Sequence, residues 1–579
     1  MHQLDHARVD SPTPQSLAQQ KWSIADLTVS IPTSSRMSPL ATQASRWRTR
    51  EFYCYYAVYL VVVPNMYWSA VRVSSHKNPL YWTYQHRLEP GWLFGRRVDN
   101  SDHQYSLFRS HLPLLAILFV AYLAMSNLAR RILPATRSAR SGFILVFSLV
   151  MLLALHGTSL VKILAILYVN WRLARMALES EGARLGIQRE WVPWLTWSFN
   201  VACLFLNEIY GGYEFGKLAS SLSWLDEHKG LLPRWQIMWN ISMLRIVSFN
   251  MELYWSTSST PALTTRKDSP PSSEESSREN NYSFPLFLAY VLYPPLYLAG
   301  PIISYPSFLY QVTPAPTTSA PTPETSKASI LRYSFRFLTS LLTMEIILHT
   351  MYVVAIKDSG NTWWQDLKPF EVSMIGFWNL IIVWLKLLIP WRFFRLVSLM
   401  DGIDPPENMI RCMANNYSTL GFWRSWHRSY NLWVIRYLYV PIGGSKRPLL
   451  ATLVVFTFVA LWHDLSFRLL AWGWTISLFV IPEMVFSKTL FPYSKYGDTP
   501  WYRHLAALGG VFNILLMMTG NLVGFVVGVD GAKGLWSKML GTNEGRIFMV
   551  IASCCLFVAV QVMFEYREEE RRKGINRRC

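Results

Sequence analysis

Cysteine is scarce and unpatterned in this 579-residue chain. The six cysteines, at 54, 203, 412, 554, 555 and 579, form no CxxC pair, and several fall within apolar runs. A disulfide framework and a structural zinc site are therefore excluded as organising devices. Charge is also thin, at 16% of residues. The surplus of +19 does not gather into a patch on a soluble domain, which excludes a nucleic-acid-binding module. Instead, Arg130, Arg131, Arg137 and Arg140 crowd one short loop, and Arg567, Arg571, Arg572, Lys573, Arg577 and Arg578 fill the end of the chain. Such clusters favour the cytosolic face and its anionic lipid. The stretch 69–110 is basic too, so charge alone leaves the topology open. No repeat of fixed period is present, and the polar first fifty residues carry no secretory signal pattern.

What the chain has in abundance is apolar surface: 51% hydrophobic residues, 15% aromatic, and 26 tryptophans. These cluster in blocks of about 17–25 residues, the length that crosses ~30 Å of hydrocarbon. The expected fold class is an all-α polytopic membrane protein with about ten to twelve transmembrane helices. The candidate spans are 52–70, 110–128, 141–169 (one span, or two pieces with His156 and Gly157 between), 192–210, 236–255, 284–300, 331–356, 372–399, 449–463, 466–486, 503–528 and 547–565. The expected organisation is a polar tail (1–50), amino-terminal transmembrane helices (51–255), a linker (256–283), a further helix (284–310), a second linker (311–329), a core (330–486), carboxy-terminal transmembrane helices (487–566) and a basic tail (567–579). Both linkers are rich in Ser, Thr, Pro and charge and cannot bury enough surface to fold. The first contains a sequon at Asn281, which would place that loop in the lumen if it is used.

Residues 405–448 are neither a clean span nor a polar loop, because they mix Trp, Tyr, Arg and Asn. Polar backbone of this kind is tolerated at membrane depth only inside protein or along a cavity, so a re-entrant or interfacial element is expected. On a continuous helix over 420–437, Trp423, His427, Tyr430, Val434 and Tyr437 share one face. Asn431 then lies four residues beyond His427, within reach of its imidazole. Trp426 extends the aromatic wall, and Arg424 and Arg428 form an adjacent stripe. A second histidine, His463, follows Trp462 at the end of an apolar run that starts at Leu449, with Asp464 beside it. Ionisable groups at membrane depth are costly and are by default functional hypotheses. An imidazole, largely neutral at pH 7, can accept a proton from an attacking alcohol. The plainer alternatives are a hydrogen-bonded structural histidine at 463 and an interfacial anchor at 427.

The pattern resembles the membrane-bound O-acyltransferase (MBOAT) family, most closely the subgroup of Hedgehog acyltransferase and the fungal glycerol-uptake proteins. The residues that carry the resemblance are Asp401 to Pro406, Arg411 and Cys412, Trp423 and Arg424, Trp433 to Gly444 with Arg436 and Pro441, and Trp462 with His463. The resemblance implies an MBOAT-like bundle around a tunnel, with 330–486 as the catalytic core. His463 then corresponds to the family's invariant histidine and His427 to the second active-site position. Hedgehog acyltransferases have an aspartate there. The histidine points away from amide-forming protein palmitoylation and towards oxygen acylation, as in bacterial polysaccharide acylation.

The implied activity is transfer of a long acyl chain from acyl-CoA to a lipid hydroxyl in the endoplasmic-reticulum membrane. The implied acceptor is the sn-2 position of a lyso-glycosylphosphatidylinositol (lyso-GPI) anchor, free or on a GPI-anchored protein. Arg424, Arg428, Arg436, Lys446 and Arg447 would hold the phosphates of coenzyme A, although basic residues flanking apolar segments also anchor helices at headgroup level. The resemblance further raises haem ligation by Cys412. Glu345 and His349, an i, i+4 pair, are expected to form a structural hydrogen bond, and Lys386 either snorkels or lines the cavity. The competing function classes are a glycerol/proton transporter, a protein palmitoyltransferase-like enzyme and a catalytically silent relative.

Overall fold

The arginine clusters, set far apart in the sequence, share one face of a helical bundle. A computed structural model describes residues 43–178, 186–257, 280–313, 325–360, 362–463 and 465–575. Most of the polar tail, most of both linkers and Asp464 lie outside the described residues. The elements are α1 (Arg50–Val73), α2 (His103–Ile132), α3 (Arg137–His156), α4 (Ser159–Arg175), α5 (Val192–Ile209), α6 (Trp235–Ser256), α7 (Phe284–Val291), α8 (Tyr305–Val312) and α9 (Lys327–Thr350). They continue with α10 (Pro369–Met400), α11 (Thr419–Ser425), α12 (Arg428–Val434), α13 (Pro448–His463), α14 (Phe467–Val485), α15 (Tyr502–Asn521), α16 (Gly528–Gly541) and α17 (Asn543–Arg572).

The starts of these helices are written locally. Asp102 caps α2 by accepting the Tyr105 N–H at 2.9 Å, and Thr542 caps α17 by accepting that of Gly545 at 3.0 Å. Of the two readings of 141–169, the structure has two pieces, separated at Gly157. Gly157 ends α3 at φ +56°, where a Cβ would lie 1.9 Å from the His228 carbonyl oxygen.

Five described helices are long and apolar enough to cross a bilayer: α2, α3, α10, α15 extended to Val526, and α17. The loop after α10 fixes their relative orientation. Arg130 Nη2 donates to Asp401 at 2.5 Å, and Arg411 Nη2 donates to Glu570 at 2.6 Å. One loop thus touches both basic clusters, which defines an arginine-rich face.

The segment 284–300 does not span. α7 has only eight residues, about 12 Å of helix, and Pro294 and Pro295 follow it. After Pro294–Tyr297 the chain turns back into α8. Buried Arg245 satisfies the turn, donating to the carbonyls of Val291 at 2.6 Å and Leu296 at 2.8 Å. Arg137 grips both ends of the loop, through the Asn281 side-chain oxygen and through Thr313 Oγ1 at 2.8 Å. This segment is a re-entrant hairpin. Its sequon at Asn281 lies on the arginine-rich face, beside Arg137.

Asp401 ties the hairpin to the bundle. It is 1% exposed and accepts from Tyr122 at 2.9 Å, Ser126 at 2.6 Å, Tyr293 at 2.7 Å and Arg130 at 2.5 Å. Removing the carboxylate leaves three buried hydroxyls, those of Tyr122, Ser126 and Tyr293, without this acceptor, while Arg130 is exposed. Asp401→Ala is therefore expected to cost ~3–5 kcal/mol, read as a lowered unfolding midpoint in detergent. An unchanged midpoint would remove Asp401 from this role.

Candidate active site

The stretch 418–446 enters the bundle, turns and leaves by the same face. Its inward arm, α11, starts where Glu483 Oε2 accepts the N–H of Thr419 at 2.8 Å and of Leu420 at 3.3 Å. Its outward arm, α12, continues through a π-helical turn over Ile435–Tyr439. The re-entrant expectation holds here, but the continuous helix does not. The helix breaks between the arms, where His427 adopts the left-handed conformation at φ +46°. Asn408 secures the break, its carbonyl accepting the Arg428 N–H at 2.9 Å and its Oδ1 the Ser429 N–H at 3.1 Å. The break also redirects Asn431. Its amide donates to the carbonyls of Trp423 at 3.5 Å and Arg424 at 3.3 Å, tying the two arms together rather than orienting His427.

His463 closes α13. Sixteen residues make about 24 Å of helix, less than the ~30 Å hydrocarbon thickness, so the imidazole lies within the membrane's depth. A ladder of rings joins it to the other histidine. Trp391 and His427 have centroids 4.4 Å apart, His427 and Tyr430 5.3 Å, Tyr430 and Trp462 4.7 Å, and Trp462 and His463 4.7 Å. Both imidazoles lie deep among protein atoms and are close enough to interact electrostatically. Yet His463 is exposed and His427 half-buried. The ring ladder therefore leaves both imidazoles within reach of a molecule seated against it.

Residues 194–529 match the model of MBOAT, the membrane-bound O-acyltransferase family. The chain belongs to this family. Membrane-bound O-acyltransferase GUP1 of Saccharomyces cerevisiae is 43% identical over 568 residues, covering 95% of this chain and 96% of that protein. Membrane-bound O-acyltransferase gup1 of Schizosaccharomyces pombe is 40% identical over 554 residues, covering 93% and 92%. Protein-cysteine N-palmitoyltransferase HHAT of Mus musculus is 26% identical over 282 residues, covering 47% and 55%. The matched region of this MBOAT protein contains both imidazoles and the ring ladder between them.

Sequence reasoning missed the support for the ladder in this MBOAT chain, which is one stripe of α6. Asn240 and Trp462 exchange hydrogen bonds: Trp462 Nε1 donates to the Asn240 carbonyl at 2.8 Å, and Asn240 Nδ2 donates to the Trp462 carbonyl at 3.1 Å. One turn on, the Leu244 carbonyl accepts from Trp433 Nε1 at 2.6 Å. Ser248 lies 2.8 Å from the Tyr437 hydroxyl. Glu252 accepts from Arg436 at 2.6 and 2.9 Å and from Tyr437 at 2.7 Å. Positions 240, 244, 248 and 252 share a face at four-residue spacing. The available signal was Asn240, Ser248 and Glu252 inside an apolar helix.

The remaining candidates separate. Arg436 forms a bidentate pair with Glu252, so its charge is compensated within the fold. Arg424, Lys446 and Arg447 are exposed, and Arg428 is half-buried. Trp423 packs edge-on against Trp472 at 5.4 Å, and Trp426 stacks on Phe422 at 5.3 Å. The expected structural role of Glu345 and His349 holds: His349 Nδ1 meets the Glu345 carbonyl at 2.7 Å, while the carboxylate binds Arg109 at 2.8 Å. Lys386 pairs with Asp102 at 2.7 Å. Cys412, the residue raised for haem, is half-buried in the loop between α10 and α11. Burial pushes its thiol up, away from the ionised form. Its neighbour Arg411 is turned to Glu570.

Proposed function

We propose that this protein transfers a long acyl chain from acyl-CoA to the sn-2 hydroxyl of a lyso-GPI lipid in the endoplasmic-reticulum membrane. The observation that carries the reading is the pair of deep, accessible imidazoles on one aromatic ladder. In this reading the basic nitrogen of His463 takes the proton of the acceptor hydroxyl. The alcohol oxygen then attacks the thioester carbonyl carbon, and His427 donates a hydrogen bond to the oxyanion. Collapse breaks the C–S bond, and the leaving thiolate recovers the proton from His463. General-base catalysis of this kind contributes typically 10²–10⁴-fold.

Excluding water protects the thioester from hydrolysis, and the rings of Trp391, Tyr430 and Trp462 suit that task. The arginine-rich face would be cytosolic, where Arg424, Arg428, Lys446 and Arg447 would meet the phosphates of coenzyme A. No acyl-enzyme is required.

The test is purified full-length protein, labelled acyl-CoA, and a panel of lyso-GPI, lysophospholipid, sterol and peptide acceptors. Label is expected in the lyso-GPI product at sn-2. Transfer to a peptide amine or a sterol in its place would overturn the acceptor assignment. No transfer to any acceptor, with glycerol uptake by cells intact, would favour the transporter class.

A further inference from the structure

A cavity of about 970 Å³ opens on the arginine-rich face between the starts of α1 and α15 and the ends of α14 and α17. Neither His427 nor His463 lines it. Its rim carries both signs of charge as interlocked pairs. Arg503 grips Glu51 at 2.5 and 2.7 Å, and Arg571 pairs with Glu568. The Arg46 backbone N–H donates to Glu565 at 3.0 Å, while its guanidinium reaches Gln43 at 3.3 Å. Glu483, which caps α11, closes the inner end. One wall is apolar and continuous with the outside of the bundle. Leu508 and Phe512 line the cavity, yet they are 58% and 54% exposed on a membrane-crossing helix.

Charge at the membrane surface beside a wall open to hydrocarbon suits an amphiphile. A polyanion entering here would meet Glu51, Glu483, Glu565 and Glu568. A head bearing one phosphate and one amine matches the alternating cations and carboxylates. We propose that this cavity binds a zwitterionic glycerophospholipid from the leaflet on the arginine-rich face. The phosphate sits beside Arg46 and Arg503, the cationic group beside Glu565 and Glu568, and one chain runs out along Leu508 and Phe512. The site is separate from the imidazole ladder and does not rest on the acceptor assigned above.

Gly509 provides a clean test. It lines the cavity on α15, and a Cβ added there meets nothing within 4 Å. Gly509→Trp therefore fills the space without breaking the helix. Delipidated full-length protein in detergent would be incubated with dioleoylphosphatidylcholine, dioleoylphosphatidylglycerol or dioleoylglycerol, and retained lipid counted by native mass spectrometry. Wild-type protein is expected to retain phosphatidylcholine at least about tenfold better than the other two, a difference of ~1.4 kcal/mol. Gly509→Trp is expected to lose that preference with its unfolding midpoint unchanged, and Gly509→Leu serves if the larger ring prevents folding. Equal retention of all three lipids, stronger retention of phosphatidylglycerol, or undiminished phosphatidylcholine in the filled variants would overturn the proposal. Acyl transfer is not the readout, so a failed transferase assay leaves this result intact.

Discussion

His463→Ala is expected to lower acyl transfer by about 10²–10⁴-fold while leaving the protein folded. The fold can absorb the change because the end of α13 is held by the reciprocal hydrogen bonds between Trp462 and Asn240 rather than by the imidazole. His463 is also exposed, so its removal opens no sealed cavity in the packing. The initial rate with labelled acyl-CoA measures the effect, and the unfolding midpoint in detergent controls for stability. His463→Gln sharpens the test, because glutamine keeps hydrogen-bonding capacity but cannot accept a proton at neutral pH. Both variants should be comparably slow. If the glutamine variant turns over like wild type, proton acceptance at 463 is not needed and the general-base assignment fails.

How much of this was legible in the sequence depended on the range of the interaction. The re-entrant character of 405–448 could be read because aromatic, basic and proline residues interrupt the apolar pattern locally. The break at His427 could not, since helical periodicity carries no information about a residue at φ +46°. That error propagated to Asn431, whose reach to the imidazole depended on an unbroken helix. Residues 284–300 read as a span because a hydropathy window averages across Pro294 and Pro295, where the structure has a hairpin. The arginine that closes the hairpin, Arg137, lies 144 residues before Asn281. The support of the site was hidden for a different reason. Leu244 contributes only its carbonyl, which every residue has, and Glu252 meets Arg436 across 184 residues. Arg436 looked available to a phosphate until its partner was placed beside it.

His427 supplies the second large effect, because its backbone and its side chain can be tested apart. A non-glycine residue held in a sparsely populated region costs of order 1–3 kcal/mol, and here the cost is met by Asn408, which holds the Arg428 and Ser429 N–H groups. His427→Gly should relieve that strain while removing the ring that contacts Trp391 and Tyr430. His427→Ala removes the same ring and keeps the strain, so it should unfold about 1 kcal/mol more readily than the glycine variant. If the imidazole donates to the oxyanion, the two variants should lose transfer alike, by roughly 10²–10³-fold, the usual effect of deleting one such donor. His427→Asn retains both a side-chain donor and tolerance of the left-handed region, and should recover part of the rate. A glycine variant with wild-type turnover would mean that position 427 serves the turn alone. A glycine variant as slow as alanine but more stable would separate the chemistry of this residue from its geometry.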